Sequence, residues 1–331
     1  MATQTTAHTL YVTTPNGLTI AYRRLGPAHG GGIPLLMHIH YRANMDFWDP
    51  LLIDSLASQG RLIILFDQPG TGRSSSGGEE EIPTTFQGWA DNVLALIDAL
   101  GLEQVDLFGF SMGGCAVQMV ALSRPGVVRK LIIAGSGPSA PSSTTTHTFG
   151  EGSGTEGIVW PRDVPPQRAI ALLSAGDGTV KSEVEKGITV SFFPDTDAGR
   201  AAARAYFSRI YLRSPATITG GEGEEVLHTF LDAVRSARQR KAYAEWSAPD
   251  NPRNSFDRLG ELGMPVLVLN GDDDLLIPTS RCWELLRGIA DAQVIIYPRA
   301  GHGFLWQYAL RVAGDVGRFL DEALGVERAS L

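Results

Sequence analysis

The chain has 331 residues, 43% of them hydrophobic, and a formal net charge of −8 at pH 7. It is long enough for one large domain or for a core domain carrying an insertion, and its composition is that of an ordinary globular protein. The acidic balance, with no basic stripe, argues against nucleic acid or an anionic membrane as the main partner. Two cysteines, Cys115 and Cys282, are too few for a disulfide framework and are expected as packed side chains in a reducing compartment. The N-terminus lacks the basic-then-apolar layout of a signal peptide, and no apolar run is long enough to span a bilayer. The expectation is a cytoplasmic protein, monomeric or homodimeric, acting on a small molecule.

In chain order, Thr9–Val12 and Leu18–Arg23 read as strands around Pro15-Asn16-Gly17, where Asn-Gly can supply the positive φ values of a two-residue hairpin. After a glycine-rich loop, Ile33–Met37 and Arg61–Phe66 read as buried strands. A helix is expected from Thr84, with Thr84 and Gln87 at capping-box spacing and Phe86, Trp89, Val93 and Ile97 on one face. Val105–Phe110 is an apolar run that stops at a Gly-x-Ser-x-Gly corner, Gly109-Phe110-Ser111-Met112-Gly113, before a helix that starts at Met112. Leu131–Ala134 is the next strand. Strands alternating with helices imply right-handed crossovers and a mostly parallel sheet covered on both faces.

After Gly135 the alternation stops. Gly135–Gly157 has loop composition, and Gln167–Leu173, Asp197–Leu212 and Gly223–Trp246 read as helices with no strand between them. Alternation resumes with Pro265–Asn270 as strand, Ser280–Ala290 as helix, Gln293–Tyr297 as strand and a last amphipathic helix through Val312, Val316 and Phe319. The expected division is therefore a core of residues 1–139 and 262–331, with a helical cap over 140–261. An insertion at the C-terminal edge of such a sheet lies over the place where open parallel sheets bind ligands.

A serine hydroxyl needs a base within reach, and the base needs a third group to orient it. Both are available at sheet-end turns: Asp272, Asp273 and Asp274 follow one strand, and His302 follows the last. The order Ser, Asp, His is that of successive strand ends. His38 and His40, two apart in one strand reading, would share a face and could suggest a metal pair, but no convincing set of further ligands accompanies them.

Four segments, Phe66–Ser74, Gly109–Gly114, Gly271–Pro278 and Ala300–Phe304, together resemble the α/β-hydrolase superfamily, most of all its lidded esterase, lactonase and non-haem-peroxidase-type members. The likeness implies an α/β-hydrolase fold with a helical cap between the sixth and seventh core strands. It also implies a Ser111–His302–Asp274 triad, with Asp273 as fallback for the acid, and no cofactor or metal. The family's His-Gly-apolar segment is replaced here by His38-Ile39-His40-Tyr41. Counting back from Trp48 puts the Tyr41 N–H in the oxyanion hole beside that of Met112; aligning His38 with the family histidine would put His40 there instead. His40 and Phe304 are candidate substrate contacts.

The expected activity is hydrolysis of an ester or lactone of a mid-sized apolar molecule through an acyl-enzyme. The rivals are carbon–carbon bond cleavage or lyase chemistry on the same triad, and a ligand receptor built on a hydrolase scaffold.

Overall fold

The computed structural model of the chain describes residues 2–27, 32–75, 78, 82–142, 171, 177–220 and 223–323. Its strands are β1 (Leu10–Thr13), β2 (Thr19–Leu25), β3 (Leu35–His38), β4 (Ile63–Phe66), β5 (Val105–Phe110), β6 (Val128–Ala134), β7 (Val266–Gly271) and β8 (Ala292–Tyr297). They form one sheet in the order β1-β2-β4-β3-β5-β6-β7-β8, antiparallel through β1, β2 and β4 and parallel from β4 onward. Strands β3, β4, β5 and β7 are buried at every position, which is why they read as mainly apolar runs and not as alternations; Asp106 inside β5 is paired with Arg129.

Helices α1 (Pro50–Ser58), α2 (Phe86–Ala99), α3 (Met112–Ser123), α7 (Arg281–Gly288), α8 (Phe304–Gln307) and α9 (Ala309–Asp321) cover the sheet. Between β6 and β7 come α4 (Lys181–Phe192), α5 (Asp197–Ile210) and α6 (Ala233–Trp246). Two apolar cores result. One joins α1, α9 and the inserted α4 and α5 to one sheet face, and the other packs α2, α3 and α7 on the opposite face together with Ala242 and Trp246 of α6.

Several local expectations need correction. The first hairpin closes with three residues, Pro15-Asn16-Gly17, because Thr14 and Leu18 still pair (Thr14 N to Leu18 O, 2.8 Å) and only Gly17 has positive φ, +84°. The cap of α2 is Thr85, not Thr84: its hydroxyl accepts from Gly88 N. The expected helix Gly223–Trp246 begins only at Ala233, where the Asp232 side chain accepts from Arg235 N. Helices α1 and α4 were not expected at all. The stretches expected as loop at 143–157 and as helix over Gln167–Leu173 fall almost wholly outside the described residues.

His38 and His40 do not share a face. The strand ends at His38, so the two-residue alternation is already lost at His40. His38 packs on Phe66 and stacks on Trp89, while His40 lies among Phe47, Phe110 and Phe192. No group of three metal-ligating side chains occurs among the described residues. No helix there is long and apolar enough to cross a membrane. Both cysteines are buried and unpaired, and burial pushes each thiol up to about 12.

Candidate active site

The corner after β5 is held by sterics. Ser111 has φ 58° and ψ −121°, a conformation that costs on the order of 1–3 kcal/mol and persists only where the surroundings enforce it. Its N–H donates to Ala134 O of the neighbouring strand at 2.8 Å. A Cβ on Gly109 would lie 2.4 Å from Gly113 O, and one on Gly113 would lie 2.3 Å from His38 O and 2.7 Å from Ile39 O. The two glycines thus let β5, α3 and the end of β3 meet at one point. Gly113→Ala should push the β3 end away from the elbow, costing about 1–3 kcal/mol and slowing reaction with serine reagents. Gly314→Ala is the control, since nothing lies within 4 Å of its Cβ position in α9, and it should be neutral or slightly stabilising. Chemical denaturation of both variants checks this.

Asp274 and His302 meet as expected. The His302 Nδ1–H donates to Asp274 Oδ2 at 2.7 Å, and both side chains are fully buried. The other carboxylate oxygen accepts from the N–H groups of Leu276 (2.8 Å) and Ile277 (2.9 Å), which fixes its orientation. Asp272 points elsewhere, accepting from the backbone N–H groups of Arg299 and Ala300 and so shaping the turn before His302. With Nδ1 protonated, His302 presents a lone pair at Nε2, which has no hydrogen-bond partner among the described residues. Its ring lies 4.9 Å from that of Phe110, the residue before Ser111, and 4.8 Å from that of Phe192. Gly135, at φ +54°, admits the imidazole, since its Cβ would fall 3.2 Å from His302 Cε1 and 2.8 Å from Phe110. His302 thus packs against the residue that precedes Ser111, and no hydrogen bond joins its imidazole to the Ser111 hydroxyl.

Beyond β3 the chain turns at Arg42, whose φ is +66°. The turn is braced from the insertion: Arg42 N–H donates to Gln239 Oε1 of α6 (2.8 Å), and the Tyr41 hydroxyl accepts from Arg240 (3.0 Å). These contacts hold the loop without the glycine that usually stands there. The N–H groups of Tyr41 and Met112 have no acceptor among the described residues, and neither has that of His40.

His40 and Phe304 are both buried, but they face different surroundings. His40 points into a cluster of aromatic rings, whereas Phe304 stacks on Tyr297 at 5.2 Å and meets Phe110 edge-on at 6.4 Å. From α8 it is Trp306 that faces His40, at 5.5 Å, stacked on Phe192 (5.0 Å) and Tyr206 (4.0 Å). Nothing in the sequence singled out Trp306; its only signal was its nearness to His302. Helix α4 closes the other side, where Phe192 O accepts from Gly303 N–H at 2.7 Å. A separate cleft of about 260 Å³ opens one turn along α3 from Ser111, between Cys115, Pro138, Tyr243, Trp246 and Arg281, but neither Ser111 nor His302 lines it.

An eight-stranded, mostly parallel sheet with a strained serine elbow and a helical insertion after β6 is the architecture of an α/β hydrolase. A family model described as the alpha/beta hydrolase fold matches residues 29–161. An alpha/beta hydrolase fold protein from Chitinophaga pinensis is 28% identical, covers 97% of this chain and 100% of its own, and superposes with a TM-score of 0.74. The chain has the α/β-hydrolase fold. A 2-hydroxy-6-oxononadienedioate/2-hydroxy-6-oxononatrienedioate hydrolase from Dechloromonas aromatica is 27% identical over 264 residues, 78% of this chain and 75% of that one. A 2-hydroxymuconate semialdehyde hydrolase from a Pseudomonas strain is 27% identical over 302 residues, 89% of each.

Proposed function

We propose that this protein is a cofactor-free serine hydrolase that works through an acyl-enzyme. The observation that carries the reading is the buried Asp274–His302 hydrogen bond, with His302 Nε2 unpartnered among the described residues and the imidazole packed on Phe110, the residue before Ser111. Ser111 Oγ attacks a substrate carbonyl while its proton passes to His302 Nε2, and Asp274 stabilises the imidazolium. The N–H groups of Tyr41 and Met112 receive the oxyanion. His302 returns the proton to the leaving group, then activates the water that releases the acyl group. The inserted helices act as the lid: Phe192 of α4 packs on His302, and Ser111 is 8% exposed and His302 not at all.

Two bonds fit this chemistry. The aromatic lining supports an ester or lactone of a poorly charged molecule. The relatives' names support cleavage of a carbon–carbon bond beside a ketone, because a 2-hydroxy-6-oxo acid contains no ester to hydrolyse. That second reading now has the firmer support, since it rests on relatives matched over most of the chain.

Labelling with a fluorophosphonate, followed by peptide mapping, should place the adduct on Ser111. An unlabelled Ser111 in the folded protein would point instead to a receptor with an inert site. A panel of p-nitrophenyl esters, lactones and ring-opened 2-hydroxy-6-oxo dienoates then separates the two bonds. Dienoate turnover with esters left intact would establish carbon–carbon cleavage, and the reverse would exclude it.

A further inference from the structure

We infer that His40 is a second acceptor in the catalytic chamber, built to receive a hydrogen bond from a hydroxyl or N–H group of the substrate. The inference rests on the serine-hydrolase reading and adds to it what chemical group the substrate must bring.

The His40 Nδ1 lies 3.0 Å from Tyr41 O. A carbonyl oxygen can only accept, so Nδ1 carries the proton. Burial, and the neighbouring His302, hold the imidazole neutral by lowering its pKa to about 3. A neutral ring protonated at Nδ1 has a bare lone pair at Nε2. That atom is buried and has no partner among the described residues, while the residue as a whole is 2% exposed. His38 shows the contrast two residues earlier. Its Nδ1 sits 3.0 Å from the Ile39 carbonyl and its Nε2 3.1 Å from Gln68 Oε1, so both ring nitrogens have a polar neighbour, whereas at His40 only Nδ1 does.

The surroundings of His40 are otherwise apolar. Rings of Phe110, Phe192, Phe230 and Trp306 lie 5.1–5.9 Å from its centroid. Phe110 and Phe192 also flank His302, so the same rings pack against two imidazoles, both protonated at Nδ1. The lone pair of His302 takes the serine proton. That of His40, on a ring too weakly basic to carry a proton, is suited to hold a donor in place. A carbonyl or carboxylate oxygen set against it would meet a second acceptor and be disfavoured, whereas an enol, alcohol or N–H would satisfy a buried polar atom that is costly to leave unpaired.

The test uses the whole protein and a set of alkyl fluorophosphonates: a plain hexyl reagent and isomers with a hydroxyl at successive carbons. Inactivation rate constants are compared, so the result does not depend on which bond the natural substrate offers. At least one hydroxylated isomer should inactivate the wild type about 10- to 100-fold faster than the plain reagent. In His40→Phe that advantage should fall to near unity. The rate with the plain reagent serves to normalise for any shift of the Tyr41 loop.

No preferred isomer, or a preference that survives in His40→Phe, overturns the inference while leaving the hydrolase reading in place. Failure of every reagent to label Ser111 removes both. Should the variant not fold, ¹⁵N spectra of the wild type decide. The His40 Nε2 resonance should move on forming the preferred hydroxylated adduct and stay put in the plain one; a signal unchanged in both would sink the proposal.

Discussion

Ser111→Ala is expected to lower turnover by at least about 10⁴-fold while leaving the unfolding transition in place. Alanine keeps the Cβ, so the backbone strain at φ 58° and the packing around it are unchanged. Only the nucleophile is removed. Adding His302→Ala to that variant should cost little more, because the two side chains act as one unit and their effects do not add. Asp274→Asn is the more informative companion. Two backbone N–H groups, from Leu276 and Ile277, hold one oxygen of this side chain. An asparagine would keep its oxygen there and turn its NH₂ toward His302 Nδ1. The proton would then move to Nε2, the lone pair needed to take the serine proton would be lost, and activity should fall by about 10⁴-fold with the fold intact. Wild-type rates in Ser111→Ala would remove the serine from the mechanism. Near-normal rates in Asp274→Asn would show that the tautomer of His302 does not matter.

The parts of the site that were legible in the sequence are those fixed by local sterics. A buried parallel strand is mainly apolar and a sharp elbow must be flanked by glycine, so Val105–Phe110 and Ser111 could be read from the strand–Gly-x-Ser-x-Gly–helix pattern. The candidate partners His302 and Asp274 were legible because each follows a strand, and three aspartates in a row left only the choice among them. That choice turned on long-range contacts: Asp272 meets the turn at Arg299 and Ala300, and Asp274 meets His302. Helix α4 escaped notice because Lys181–Phe192 has a weak apolar periodicity and a glycine in its middle. Its burial comes from tertiary packing of Val184, Ile188 and Phe192. The aromatic chamber was illegible for the same reason. Phe110, Phe192, Phe230 and Trp306 are scattered through the chain, and only the docking of the insertion on the sheet edge gathers them around His40.

That docking depends on a buried charge cluster with no sequence motif, and Asp46→Ala is expected to be the most destabilising single change outside the apolar core. Asp46 is wholly buried. It pairs with Arg23 at 2.6 Å, Arg73 at 2.8 Å and Arg213 at 3.1 Å, and accepts from Leu227 N–H at 2.8 Å. Arg23 and Arg73 belong to the core, whereas Arg213 and Leu227 lie in the insertion. Arg213 also donates to the carbonyls of Gln4 (3.0 Å) and Ala7 (2.7 Å), drawing the N-terminal segment into the same cluster. Burial alone would raise the Asp46 pKa, but the three guanidiniums outweigh it and hold the carboxyl well below its ordinary value of 3.8. A depressed carboxylate contributes stability that is present above its unfolded value and fades as the pH falls below it. Removing the carboxylate leaves Arg73 without its ion-pair partner, and Arg23 and Arg213 with only Glu224 among the described residues, at 3.6 and 2.7 Å, a loss of about 3–5 kcal/mol at neutral pH. The exposed pair Arg200–Asp197 sets the scale for a surface contact, and Asp197→Ala should cost far less than Asp46→Ala. Urea denaturation at pH 7 and again below about pH 3.5 checks both magnitude and sign, because the gap between wild type and Asp46→Ala should narrow in acid. A gap that is small at pH 7, or that widens on acidification, would mean that the cluster does not hold the insertion to the core.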